Sequence, residues 1–323
     1  MLQYLIIQLD DTSTSYCHYE NGDKDRKLIS VDNLKAGILF GMKENLMIQY
    51  ILPDYELPQG YIEVLESIDH SKIASSESVY ASVADVVVLN GWNKEYAFDK
   101  NGVYVLRLDK STLFEKHEEI AKVFKGCVRL NIVITDVETF CDADFETYKS
   151  ILNCFSNELE TLYIEGRSPQ LNLLTDRMML DGMNNCNAGC QSITLAPNGN
   201  FYVCPAFYLA DDDEDYGLGK SKFSVGSLAG GLDIKNQQLY KLSYAPLCRK
   251  CDAYQCKRCV WLNRRTTYEV NTPSHEQCVV AHLERNVSRT LLINIRKHRA
   301  FLPERKDIGE ISYLDPFDIR EDF

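Results

Sequence analysis

The chain has 323 residues, 45% of them hydrophobic and 25% charged, the proportions of an ordinary globular protein. Its net charge of -12 excludes a general nucleic-acid binder, which needs a basic face to displace counterions. The opening Met-Leu-Gln-Tyr-Leu carries no basic segment or small-residue cleavage site, and no apolar run reaches the roughly 18 residues that cross a bilayer, so a cytoplasmic protein with no membrane partner is predicted.

In chain order, the apolar run at 4–9 reads as a strand. Ser30 or Asp32 caps a helix through Asn45, with Leu34, Ile38, Leu39 and Met42 on one face. Further strands are predicted at 46–52, 71–75, 86–89, 103–108 and 128–135. Helical stretches fall at 61–68, 79–85 and 112–125, the last opened by the capping box Thr112-Leu-Phe-Glu115, and a long helix covers 142–163. Such strand–helix alternation predicts an α/β fold with a parallel sheet, either open and doubly wound or a partial barrel. There is no Gly-x-Gly-x-x-Gly and no Walker sequence, so no nucleotide-phosphate cradle is indicated.

Composition changes after Gly166. Segments 192–195 and 201–203 flank Ala196-Pro-Asn-Gly199 as a β-hairpin. Asp211-Asp-Asp-Glu-Asp215 reads as a solvated loop, 279–298 as a helix, and the residues after Pro303 as an acidic, loosely held tail.

Eight of the twelve cysteines lie between Cys186 and Cys278. Cys248-Arg-Lys-Cys251 and Cys256-Lys-Arg-Cys259 are two Cys-x2-Cys pairs four residues apart, a spacing at which a soft metal gathers thiolates. A chain of this length without a secretory signal has no need of disulfide staples, so clustered cysteines point to metal. The Lys and Arg residues among them (Arg249, Lys250, Lys257, Arg258, Arg264 and Arg265) read as charge offsetting thiolates, with binding of an acidic peptide as the alternative. His275 and His282 flank Cys278 and read as satisfied surface histidines, with replacement of a cysteine as ligand the alternative. Cys127, Cys141 and Cys154 read as small buried hydrophobes. Cys17 sits at the top of the first strand, where barrel active sites lie, and reads either as a buried thiol or as a functional remnant, the candidate catalytic residue.

Cys186-Asn-Ala-Gly, Pro-Asn-Gly199 with Cys204 beyond it, the Cys-x2-Cys pairs and distal Cys278 together resemble a SPASM domain. The resemblance implies a radical SAM (S-adenosylmethionine) barrel upstream and two auxiliary 4Fe–4S clusters. Carried over residue by residue, Cys186, Cys204 and Cys259 hold the first cluster, with Cys190 as fourth ligand, and Cys248, Cys251, Cys256 and Cys278 hold the second. The last gaps in the knot are four and two residues, where the family pattern has five and three. The fold it implies is a partial (β/α)6-type barrel over 1–180 without the SAM-cluster motif, a SPASM domain over 181–285, and a C-terminal helix and tail over 286–323.

Radical SAM enzymes carry Cys-x3-Cys-x2-Cys after the first strand. With Cys17 in the last position, the other two are Asp10 and Thr14, and one thiolate cannot hold such a cluster. Their Gly-Gly-Glu segment after the second strand is replaced by Leu52-Pro-Asp-Tyr-Glu-Leu-Pro58, so neither SAM nor its cleavage is expected. Leu34-Lys-x-Gly-Ile-Leu-Phe-x-Met-Lys-Glu-Asn-Leu46, Pro53-Asp-Tyr-Glu-Leu-Pro58 and the stretch from Cys256 through Asn271-Thr-Pro-Ser to Cys278 resemble the CXXX repeat peptide maturase family. That resemblance implies a partner peptide with cysteine every fourth residue, ribosomally made, and a separate modification protein as a further partner. The clusters would serve electron transfer or substrate engagement. The competing expectation is two zinc ions in a non-catalytic peptide- or protein-interaction module, because zinc also accepts four thiolates at these spacings.

Overall fold

In the computed structural model, which describes residues 2–20, 27–211 and 222–317, the first strand β1 is Tyr4–Gln8. There follow α1 (Val31–Lys43), β2 (Met47–Ile51), α2 (Gln59–Glu66), β3 (Ser71–Ser75), β4 (Val86–Asn90), β5 (Val103–Leu108), α3 (Lys110–Ala121), β6 (Arg129–Ile134), α4 (Asp142–Ile164), β7 (Gln170–Leu171) and α5 (Thr175–Met179). The remainder holds β8 (Ser192–Leu195), β9 (Phe201–Tyr202), α6 (Pro205–Leu209), β10 (Gly226–Ser227), β11 (Gly231–Leu232), α7 (Val260–Thr267) and α8 (His275–His298). Most of the acidic run from Asp211 lies outside the described residues. No helix among the described residues is long and apolar enough to cross a membrane.

These elements divide into two units, one made of residues 1–88 and 187–244, the other of 89–186 and 245–323. The first carries strands in the order β4-β3-β2-β1-β8-β9, all parallel except β9, which returns antiparallel beside β8. Leu5 and Ile7 are fully buried and Ile6 nearly so, the continuous apolar run of a strand covered on both faces. The hairpin turn closes at Gly199, whose φ of +79° suits glycine. The second strand of that hairpin is short, and β8 pairs with β1 as well as with β9.

Helix α1 starts where Ser30 accepts a hydrogen bond from the Asn33 amide at 3.1 Å. Its packed face differs from the apolar face read in the sequence: Leu39 and Met42 are 65% and 56% exposed, and the sheet-facing row is Leu34, Gly37, Ile38 and Gly41. A Cβ at Gly37 would stand 2.3 Å from Leu195 Cδ2, and one at Gly41 2.8 Å from Ile48 Cδ1. Glycine brings the helix backbone onto the strands, which a search for apolar side chains does not register.

In the second unit β5, β6 and β7 run parallel, and α4 packs along α8. Asp109 caps α3 by accepting from the Thr112 amide at 2.7 Å. The helix therefore begins at Lys110, three residues before the start implied by a Thr112 cap. Cys127 is buried as expected, but Cys141 is exposed at the start of α4 and Cys154 is half-buried, since a helix cap faces water. The segment after Pro303 is anchored: Arg296 donates to the Leu302 and Arg305 carbonyls at 2.6 and 2.8 Å and to Asp307 at 2.6 Å, and Asp315 is 3% exposed.

Candidate metal centre

Residues 245–259 form a succession of tight turns. The Cys248 amide donates to the Ala245 carbonyl at 3.1 Å, Cys251 to Cys248 at 3.0 Å, and Cys256 to Ala253 at 3.0 Å. The fully buried Ala245 and Ala253 leave no side chain to hold these turns open. The fourth sulfur comes from α8. Ser274 and Gln277 form a reciprocal capping box there, which sets Cys278 in the first turn near the positive end of the helix.

Each thiol of Cys248, Cys251, Cys256 and Cys278 lies within electrostatic reach of the other three. Burial pushes the Cys248 thiol up to about 11 and the Cys256 thiol up to about 12. Cys251 and Cys278 are raised as well, by burial first, and Cys278 further by its three sulfur neighbours and Asp315. Four crowded, largely desolvated thiols resist ionising unless a cation joins them. The backbone already favours the charged form: the Ala253 amide donates to Cys251 Sγ at 3.4 Å, and the Arg258 amide donates to the Cys256 sulfur.

The positive charge beside the thiols comes largely from residues that sequence analysis overlooked. Of the six basic residues read as offsetting thiolates, Arg258 is 1% exposed and lowers Cys248, while Arg249, Lys250, Lys257 and Arg265 are exposed and Arg264 donates to the Tyr268 carbonyl. Arg285 and Arg177 are buried and both grip Asp252, at 2.6 and 3.1 Å, beside Cys251, whose thiol they lower. Their separations from Asp252, 33 and 75 residues, leave no local signal in the sequence. Glu284 is also buried, taking hydrogen bonds from Tyr148 at 2.8 Å and Gln255 at 3.2 Å, and burial pushes its carboxyl up to about 7.

Four thiols are the donor set of a soft-metal site, either a zinc ion or an iron–sulfur cluster. Thiolates on one zinc, at bonds of about 2.3 Å, stand about 3.8 Å apart. Among the described residues, no three or more His, Cys, Asp or Glu side chains gather closely enough to hold one metal ion. A body with a metal at each corner takes one thiolate per corner and so accepts a wider set.

The other predicted ligands fall as follows. In the second unit the Cys186 amide donates to the Lys257 carbonyl at 2.6 Å, and Cys259, 5% exposed, precedes α7. In the first unit the Cys190 amide donates to Asn187 at 3.0 Å, and Cys204 precedes α6.

At the C-terminal end of β1, Asp10 is fully buried. It accepts from the Thr12 amide at 2.8 Å, from the Thr12 hydroxyl, and from Tyr55 OH at 2.7 Å. Tyr55 belongs to the Pro53–Pro58 stretch, which is pinned further by Ser78 donating to the Pro53 carbonyl and the Leu57 amide donating to Tyr80 OH, both at 2.7 Å. Thr14 is buried and Cys17 half-buried in the same loop.

No family model matches the chain, and no curated protein matches it. Among solved structures it is similar to anSMEcpe, an anaerobic sulfatase-maturating radical SAM/SPASM enzyme, with bound AdoMet: TM-score 0.59 and 10% identity, covering 92% of this chain and 100% of that one. The same enzyme with AdoMet and the Cp18Cys peptide gives TM-score 0.59 and 12% identity, over 93% of this chain and 100% of that one. The chain has the α/β fold of radical SAM/SPASM enzymes. At these identities the likeness is one of fold.

Proposed function

We propose that this chain is a maturation protein for a ribosomally made cysteine-repeat peptide, of the CXXX repeat peptide maturase kind, carrying auxiliary 4Fe–4S clusters and no SAM of its own. The observation that carries this reading is the set of Cys248, Cys251, Cys256 and Cys278, each sulfur within reach of the others on a fold shared with a peptide-bound radical SAM/SPASM enzyme. These four residues would hold the second cluster. The first, on Cys186, Cys190, Cys204 and Cys259, comes from the sequence pattern. Bound there, such clusters supply one-electron transfer or a metal for a substrate thiolate. The chain's own residues then set the environment: Arg258, Arg285 and Arg177 offset thiolate charge, and the Ala253 and Arg258 amides donate to sulfur.

The absence of SAM chemistry is supported by Asp10 and Tyr55. In radical SAM enzymes the equivalent segments supply a cluster cysteine and the contact to SAM's amino group; here they bond to each other, and both carboxylate oxygens of Asp10 are engaged. Cys17 remains the candidate catalytic thiol in that loop.

The test is anaerobic purification with metal analysis and titration with a synthetic cysteine-repeat peptide. Brown protein with about eight irons per chain, two four-iron clusters, that binds the peptide is expected. Colourless protein holding zinc would favour the interaction-module alternative.

A further inference from the structure

A fifth donor stands beside the four thiols. His282 lies one helical turn beyond Cys278 on α8 and is 4% exposed. Its Nδ1 bonds to the Leu314 carbonyl, and because a carbonyl only accepts, that nitrogen carries the proton. The neutral ring keeps its lone pair on Nε2, which stands 3.3 Å from Cys251 Sγ. Tyr313 meets the ring edge-on, with centroids 5.7 Å apart, and limits its rotation. Metal-binding imidazoles are held in this manner, with the second N–H given to a carbonyl or carboxylate.

The spacing is also that of two donors on one metal. With bonds of about 2.3 Å to sulfur and about 2.0 Å to nitrogen, tetrahedral geometry puts the donors about 3.5 Å apart. Nε2 and Sγ can therefore address the same metal atom without moving far. His275, the other histidine near Cys278, is committed to Asp315 through Nδ1 and meets Phe145 edge-on.

We propose that His282 is a reserve ligand of this centre, its Nε2 able to hold the iron that Cys251 faces. The inference rests on Cys248, Cys251, Cys256 and Cys278 forming a cluster site. In such an exchange one Fe–S bond would break, one Fe–N bond would form, and the Cys251 sulfur would take a proton from solvent, with no electrons transferred. The donor set is thus redundant at one corner, which offers a route to a centre of higher potential, because imidazole in place of thiolate raises the potential of iron–sulfur centres.

The test compares full-length parent, Cys251→Ala, His282→Gln and the double variant, each reconstituted anaerobically with iron and sulfide. Iron per chain is counted, and pulsed EPR of the reduced protein reports nitrogen bonded to the cluster. Any variant recovered insoluble is refolded with iron and sulfide before counting. The parent and His282→Gln should both hold about eight irons. Cys251→Ala should match them and gain a strong ¹⁴N coupling, and the double variant should lose about half its iron. A parent without iron overturns the cluster assignment and this inference together. An iron-loaded parent whose Cys251→Ala variant loses half its iron, or keeps it without nitrogen coupling, overturns this inference alone.

Discussion

Glu284 is one buried group through which pH acts on the stability of the second unit. Its carboxyl is raised from 4.5 to about 7 by burial, against the opposing hydrogen bonds from Tyr148 and Gln255. The folded chain therefore keeps a proton that the unfolded chain has released. Its stabilising contribution is fully present below pH 4.5 and is lost as pH rises through about 7, a change of about 3 kcal/mol. Glu284→Gln keeps the shape and the hydrogen bonds but cannot ionise. In metal-free protein, its melting temperature should fall less than the parent's between pH 5 and 8, as followed by circular dichroism. Equal slopes for the two proteins would remove Glu284 from the account. Glu284 carried no signal in the sequence, since a glutamate inside a helix reads as solvated until the partner helix is known.

At the scale of elements, α1 and α8 each yield a contrast. Gly37 has no room for a methyl group against Leu195, whereas Gly60 in α2 has nothing within 4 Å of its missing Cβ. Gly37→Ala is expected to destabilise by about 1–3 kcal/mol through overpacking, less whatever the end of Leu195 recovers by shifting. Gly60→Ala is expected to stabilise by up to about 1 kcal/mol through helix propensity. Urea titration of both variants checks the signs. For α8, Ser274→Ala removes a cap worth about 1 kcal/mol and loosens the turn bearing Cys278. Iron should dissociate faster from that variant on chelator challenge, while a matched surface substitution such as Lys297→Ala leaves the rate unchanged.

Strands β1 to β6 were legible because parallel sheet demands continuous apolar runs, the two-residue β7, β10 and β11 were too short to show one, and the start of α8 carries the capping signature Ser274-x-x-Gln277. The face of α1 was misread because glycine contributes closeness and no hydrophobicity. Among the centre's residues, Cys248, Cys251 and Cys256 stand out by their Cys-x2-Cys spacing, and their grouping with Cys278 is what the family resemblance implies. Arg177 and Arg285 do not stand out, since they reach the site only through the packing of α5 and α8.

At the scale of the whole molecule, the proposed absence of SAM chemistry is tested at the loop after β1. Asp10 and Tyr55 hold the ends of β1 and β2 together. The reduced protein is expected to make no 5′-deoxyadenosine from SAM above background, by chromatography of the quenched reaction, with or without peptide. Turnover would return Cys17 to the role of a cluster ligand and require unforeseen partners for it. Tyr55→Phe, which frees one oxygen of Asp10, should lower stability by about 1–2 kcal/mol without creating that activity.

The clasp of the C-terminal segment onto α8, through His275 to Asp315 and His282 to Leu314, imposes an order on biogenesis. A nascent chain leaves the ribosome N-terminal end first. Cys248, Cys251 and Cys256 emerge ahead of Cys278, and Cys278 ahead of Leu314 and Asp315. The four sulfurs therefore leave the ribosome before the residues that clasp α8, and the clasp is the last part of this region to close.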